Sequence, residues 1–143
     1  MAKIRHIAFF TRDPQKMAAF WEEQFGFKRV QQYGQSSGAN TVWITDGYMD
    51  VSFINPVGNK EAKMGINHMG VTLEADERDE VYAKMEKNGH TIKKSPPERP
   101  YVEDYGYDTD GNRFDITTTG LRPQDDKLVA TKKIFISDEL LKT

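Results

Sequence analysis

Cysteine is absent from the 143-residue chain, which excludes a disulfide framework and any thiolate-held metal. An ion would have to rest on imidazole nitrogen and carboxylate oxygen, a donor set suited to Zn, Fe(II), Mn, Ni or Co. Histidine is scarce too, at three residues: His6, His68 and His90. No apolar run approaches the roughly 20 residues of a membrane span. The first residues, MAKIRHIAFF, hold no apolar segment of signal-peptide length. A cytoplasmic location without membrane contact is therefore expected. A basic stripe is also missing. The 20 basic and 22 acidic residues, net charge -2, are spread along the chain. The pairs Lys93-Lys94 and Lys132-Lys133 are too short to change that, so nucleic acid is not an expected partner.

What is present is a pattern that occurs twice. Lys3 to Phe10 (KIRHIAFF) alternates like a strand. Asp13 and Pro14 suit a helix N-cap and first turn. Met17, Phe20, Trp21 and Phe25 follow at helical spacing, and Gly26 suits a left-handed C-cap. Strands are expected at Phe27 to Tyr33, Thr41 to Thr45 and Tyr48 to Ile54, with a tight turn at Asp46-Gly47. The second half repeats the order: a strand over Gly65 to Glu74, then a helix capped by Asp76, carrying Val81, Tyr82 and Met85, and ended by Gly89. Strands over His90 to Lys94, Tyr101 to Tyr107 and Arg113 to Thr119 complete it, the last two joined by Asp110-Gly111. His6 and His68 are 62 residues apart, Gly26 and Gly89 63, and Gly47 and Gly111 64. Three landmarks in order at a nearly constant offset argue for a duplicated unit.

The expected architecture is α+β, two βαβββ modules (about 1–55 and 65–120) forming one cupped mixed sheet in a single domain over 1–120. Pro56 to Lys63 links the modules, and Pro keeps SPPERP (95–100) out of any central strand. Residues 121–143 are an extension outside the repeat, with a strand-like run at Lys133 to Ile136. It is available to cover a sheet edge or to reach a second subunit.

Four residues with chemistry stand at matched places: His6 and His68 in the first strand of each module, Asp50 and Asp115 in the last. Alternation gives each last strand an apolar face for its helix and a polar face bearing Asp50 and Ser52, or Asp115 and Thr117. Small residues two positions on, Ala8 after His6 and Gly70 after His68, leave room above the imidazoles. Two carboxylates brought together repel and pay for desolvation unless a cation joins them. Neutral imidazoles and carboxylates around a divalent ion resolve that conflict. The bland alternatives are a half-buried structural histidine in each strand and a solvent-facing Asp50. His90, just after a helix-ending glycine, is expected to be exposed.

The segments KIRHIAFFTRDPQKMAAFWEEQFGFKRV, GINHMGVTLE and YDTDGNRFDI resemble the vicinal oxygen chelate superfamily, also known as the glyoxalase, bleomycin-resistance and extradiol-dioxygenase group. The resemblance covers about residues 1 to 120. It implies metal ligands at His6, His68 and Asp115, with Asp50 a fourth ligand or, if not a ligand, a catalytic base. Two departures stand out. The family's last-strand carboxylate is commonly Glu, one methylene longer than Asp115. Asp50 lies three residues after its turn glycine and Asp115 four after its own.

The resemblance implies a divalent-metal enzyme, a lyase, isomerase or dioxygenase, acting on a small substrate with two neighbouring oxygens. Tyr48, Tyr101, Tyr105 and Arg113 are candidate pocket residues, Arg113 sharing the face of Asp115 and suited to an anionic substrate. Wall packing is the plain alternative for the tyrosines. A homodimer is expected. The rival reading is a metal-free binding protein of the bleomycin-resistance type, with Trp43 and the tyrosines stacking a flat ligand. A third is a regulatory or structural relative that kept its ligands by descent.

Overall fold

Alternating apolar and polar residues form the first strand, β1 (Lys3–Phe10). The computed structural model describes residues 2–30, 40–96 and 103–118. Helix α1 (Pro14–Phe25) begins where expected: the Asp13 carboxylate accepts the Lys16 N–H at 3.0 Å, and Pro14 occupies the first helical position. It ends at Gly26, whose φ of 72° is open to glycine at little cost. Strands β2 (Lys28–Val30), β3 (Thr41–Thr45) and β4 (Asp50–Ile54) complete the first module. The second comprises β5 (Gly65–Thr72), α2 (Arg78–Lys87), β6 (Asp104–Tyr107) and β7 (Arg113–Thr117).

The strands form one seven-stranded mixed sheet in the order β2-β3-β4-β1-β5-β7-β6. Pairs β1–β4 and β5–β7 are parallel. The modules meet where β1 and β5 pair antiparallel at the sheet's centre. Each module has its own core on the helix-bearing face. Ala18, Val42, Ile44 and Phe53 are buried in the first, with Met17, Trp21 and Val51 packed against them. Leu73, Tyr82 and Ile116 are buried in the second, flanked by Val81, Ile92 and Phe114. No helix among the described residues is long and apolar enough to cross a membrane.

Three local expectations change. The strand anticipated over His90 to Lys94 is a single bridge, Lys93 to Tyr105. The ladder stops there because Ser95 gives its N–H to the Asp104 carboxylate at 2.6 Å, and Pro96 has none to give. Asp76 does not cap α2: Glu77 stands at the cap, and its side chain makes no capping bond to the helix but accepts the Glu74 N–H at 3.3 Å. Asp79 and Glu80 instead place negative charge in the first turn. Finally, the β3–β4 connection is a four-residue loop rather than a two-residue turn, because Thr45 pairs with Asp50. Asp46 Oδ1 organises it by accepting the N–H groups of Tyr48 and Met49, both at 2.7 Å. The strand expected from Tyr101 and the extension 121–143 reach beyond the described residues.

Phe53 is fully buried at the centre of the first core. Phe53→Ala is expected to cost about 3–5 kcal/mol, the range for deleting a buried aromatic ring; urea denaturation followed by Trp fluorescence would measure it.

Candidate metal centre

Successive residues of a strand point to opposite faces, and paired residues on neighbouring strands share a face. On the face away from the helices, the register therefore lays side chains in two rows. One runs Thr45, Asp50, His6, Gly70, Asp115, Tyr105. The next runs Trp43, Ser52, Ala8, His68, Arg113, Tyr107. Each histidine thus has a small residue beside it on the other module's first strand, Gly70 next to His6 and Ala8 next to His68. This corrects the expectation that each small residue makes room for the histidine of its own strand. A Cβ at position 70 would fall 1.8 Å from His6 Cε1, so the His6 ring occupies the space a side chain there would fill.

Donor atoms of His6, His68 and Asp115 all lie within 4.8 Å of one another. The two imidazoles stand edge to face with centroids 5.4 Å apart. His68 Nδ1 donates to Asn67 Oδ1 at 2.7 Å, which leaves the Nε2 lone pair facing Asp115 Oδ2 at 3.3 Å. Arg113 grips Asp115 with two bonds, Nε to Oδ1 at 2.8 Å and Nη2 to Oδ2 at 3.1 Å. The same guanidinium lies 4.4 Å from the Tyr105 ring centroid. Both ring nitrogens of His6 are buried without a hydrogen-bond partner among the described residues. Two neutral nitrogen donors and a carboxylate in a polar, enclosed site match the needs of a divalent ion of intermediate softness, so the residues present fit such an ion.

The remaining sequence-derived residues are placed as follows. Asp50 is fully buried beside His6 but outside the three-residue donor group. Tyr105 adjoins Asp115 in register. Tyr48 lies in the β3–β4 loop with 36% of its surface exposed. Tyr101 is outside the described residues. One residue was missed. Glu103, just before β6, holds its Oε2 3.6 Å from His6 Nε2, with its side chain only 11% exposed. Alternation back from Tyr105 would have aimed Glu103 at this face; the proline-rich stretch ahead of it gave no periodic pattern to prompt that reading.

Burial governs the charges. Desolvation, with His68 and Arg113 nearby, lowers the His6 pKa to about 4. Desolvation and then Arg113 lower His68 to about 4 as well. Both rings are neutral at pH 7, the state in which imidazole binds metal. Desolvation raises Asp115 against the pull of Arg113. Desolvation and the nearby Asp115 push Glu103 up to about 8.

These shifts set opposite slopes in the metal-free chain. For the histidines the unfolded state binds more protons between about pH 4 and 6.5, so stability rises with pH there. For Glu103 the folded state binds more between 4.5 and about 8, so stability falls as pH rises through that window. Above pH 6.5 the histidine contribution is complete and Glu103 dominates. Metal-free protein is expected to lose stability from pH 6.5 to 8, by at most about 1.4 kcal/mol per pH unit. Glu103→Gln should flatten that decline in urea titrations at a series of pH values.

Comparison with known proteins agrees with this architecture. The family model of the Glyoxalase/Bleomycin resistance protein/Dioxygenase superfamily matches residues 3–116. A search of the curated proteins gives no match by sequence. Among solved structures, the 2,3-dioxygenase LapB from Pseudomonas sp. KL28 superposes with a TM-score of 0.64 at 18% identity, over 87% of this chain and 44% of that one. This chain therefore spans less than half of the dioxygenase. Streptomyces coelicolor methylmalonyl-CoA epimerase, in complex with 2-nitronate-propionyl-CoA, gives 0.60 at 14% identity, over 84% of this chain and 96% of that one. The Mycobacterium tuberculosis methylmalonyl-CoA epimerase gives 0.60 at 9% identity, over 79% and 85%. At such identities the structural likeness speaks to the fold, while the family match spans most of the sequence. The chain belongs to the glyoxalase/bleomycin resistance protein/dioxygenase superfamily, the vicinal oxygen chelate group.

Proposed function

We propose that the chain is a divalent-metal-dependent enzyme acting on a small substrate that presents two neighbouring oxygens, as a lyase, isomerase or dioxygenase. The observation that carries this reading is the convergence of His6, His68 and Asp115 donor atoms within 4.8 Å on one face of the sheet. Zn, Fe(II), Mn, Ni or Co suits that set. A divalent ion there would supply Lewis acidity to a developing enolate or oxyanion, or a binding position for dioxygen.

The chain's own residues have separable tasks in this reading. Asn67 fixes the tautomer and direction of His68. Arg113 fixes the Asp115 carboxylate and, a third exposed, offers the positive side of the site to an anionic group on the substrate. Asp50, fully buried beside His6, is the candidate base that takes or returns a proton next to the bound oxygens. Tyr105, Tyr48 and Tyr101 are assigned to the pocket wall. A cytoplasmic homodimer is part of the proposal.

The metal-free binding reading draws less support. It needs the Trp43 face for stacking, and Trp43 already makes an edge-to-face contact with the His6 ring, centroids 5.6 Å apart at 72°. It also gives no reason to bury two imidazoles among carboxylates, an arrangement that costs free energy without a cation.

Protein analysed without chelator treatment is expected to hold about one divalent ion per chain by elemental analysis; none would favour the binding reading. Screens with 2-oxoaldehydes, catechols and acyl-CoA thioesters would identify the reaction. His68→Ala is expected to release the metal and reduce whichever activity is found at least about 100-fold, since even outer-shell changes cost 10–100-fold. Gly70→Ala keeps every donor but drives a Cβ into the His6 ring; it is expected to lower metal content as well.

A further inference from the structure

Glu103 is a buried carboxyl group at the centre to which the superfamily resemblance gives no task. Its Oε1 is buried with no hydrogen-bond partner among the described residues, a costly condition unless something else takes up that oxygen. Donor atoms bound about 2.0–2.2 Å from one ion sit roughly 3–3.5 Å from each other. The His68 Nε2 to Asp115 Oδ2 separation of 3.3 Å has this spacing. The His6 Nε2 to Glu103 Oε2 separation of 3.6 Å is slightly longer, and Glu103, outside the group whose donors all lie within 4.8 Å of one another, must turn toward the other three to join them. The two carboxylates differ in freedom. Both oxygens of Asp115 are held by Arg113 on a short side chain. Glu103 is one methylene longer and has an Oε1 with no bond to break among the described residues.

We propose that Glu103 is a fourth protein ligand of the divalent ion held by His6, His68 and Asp115. The proposal rests on the metal-centre reading above. The second carboxylate of the set then comes from the segment before β6 rather than from β4. Two carboxylates balance the charge of a divalent ion, and two neutral imidazoles complete the donors, so the ion and its four ligands together carry no net charge. Asp50 stays outside the inner set, beside His6.

The test is Co(II) titration of the metal-stripped full chain against a competing chelator, with the visible d–d absorption recorded for the unsubstituted protein, Glu103→Ala, Glu103→Gln and His68→Ala. Glu103→Ala is expected to weaken Co(II) binding at least about tenfold and to shift the d–d bands, because water replaces a carboxylate oxygen. Weaker binding with an unchanged spectrum overturns the proposal, since the carboxylate then acts only through its charge. Unchanged affinity and spectrum, with binding lost in His68→Ala, overturn it and leave the three-residue centre standing. Retained tight binding in His68→Ala overturns that centre as well, and the proposal with it. Glu103→Gln keeps the side-chain volume and cannot ionise, so at or above neutral pH it is expected to melt no lower than the unsubstituted apoprotein. Should the alanine variant not fold, the same affinity and spectral criteria apply to Glu103→Gln.

Discussion

The antiparallel pairing of β1 with β5 joins the two modules, and the placement of every site residue follows from it. It sets His6 against Gly70 and Ala8 against His68, so that the His6 ring fills the space Gly70 leaves and His68 has a small neighbour. The parallel partners β4 and β7 then bring Asp50 beside His6 and Asp115 beside Gly70. A two-residue slip would keep the faces but set the histidines against the wrong neighbours; a one-residue slip would send them to the opposite face.

The site is costly in its own right. Buried imidazoles are forced neutral, and Glu103 is held far above the usual carboxylate range. Stability is supplied by the other face of the same strands. Val51 and Phe53 alternate with Asp50 and Ser52, and Phe114 and Ile116 flank Asp115, all four apolar residues pointing to the helices. Alternation lets one strand carry a core on one side and a strained polar cluster on the other, so chemistry and folding draw on different side chains of the same five residues.

Much of this was legible in the chain. The duplicated landmarks gave the modules, and scarcity of histidine made His6 and His68 conspicuous. Strand parity put Asp50 and Asp115 on the polar face. What escaped depended on contacts between segments. Helical spacing grouped Met17, Phe20, Trp21 and Phe25, yet Met17 and Trp21 pack on the core while Phe20 and Phe25 are half or more exposed. The strand after α2 was cut short by a side-chain bond from Asp104 that no periodicity encodes. Strand parity faces Arg113 toward a substrate anion, but gives no sign that its Nε and Nη2 also clamp Asp115 two residues away. Parity from Tyr105 puts Glu103 on the polar face, but its closeness to His6 follows from where β6 pairs in the sheet.

The β1–β5 seam also bears on how such a chain can vary. Its register is irregular between Ile4 and His6 and again between Ala8 and Phe9. Only the three pairs from His6 to Ala8 run uninterrupted between those two breaks. Irregularities of this kind take up an extra or missing residue by local bending and twist. Each end of the seam can therefore gain or lose length without passing the change inward. The two modules are free to drift apart in size while the spacing of the imidazoles is inherited intact.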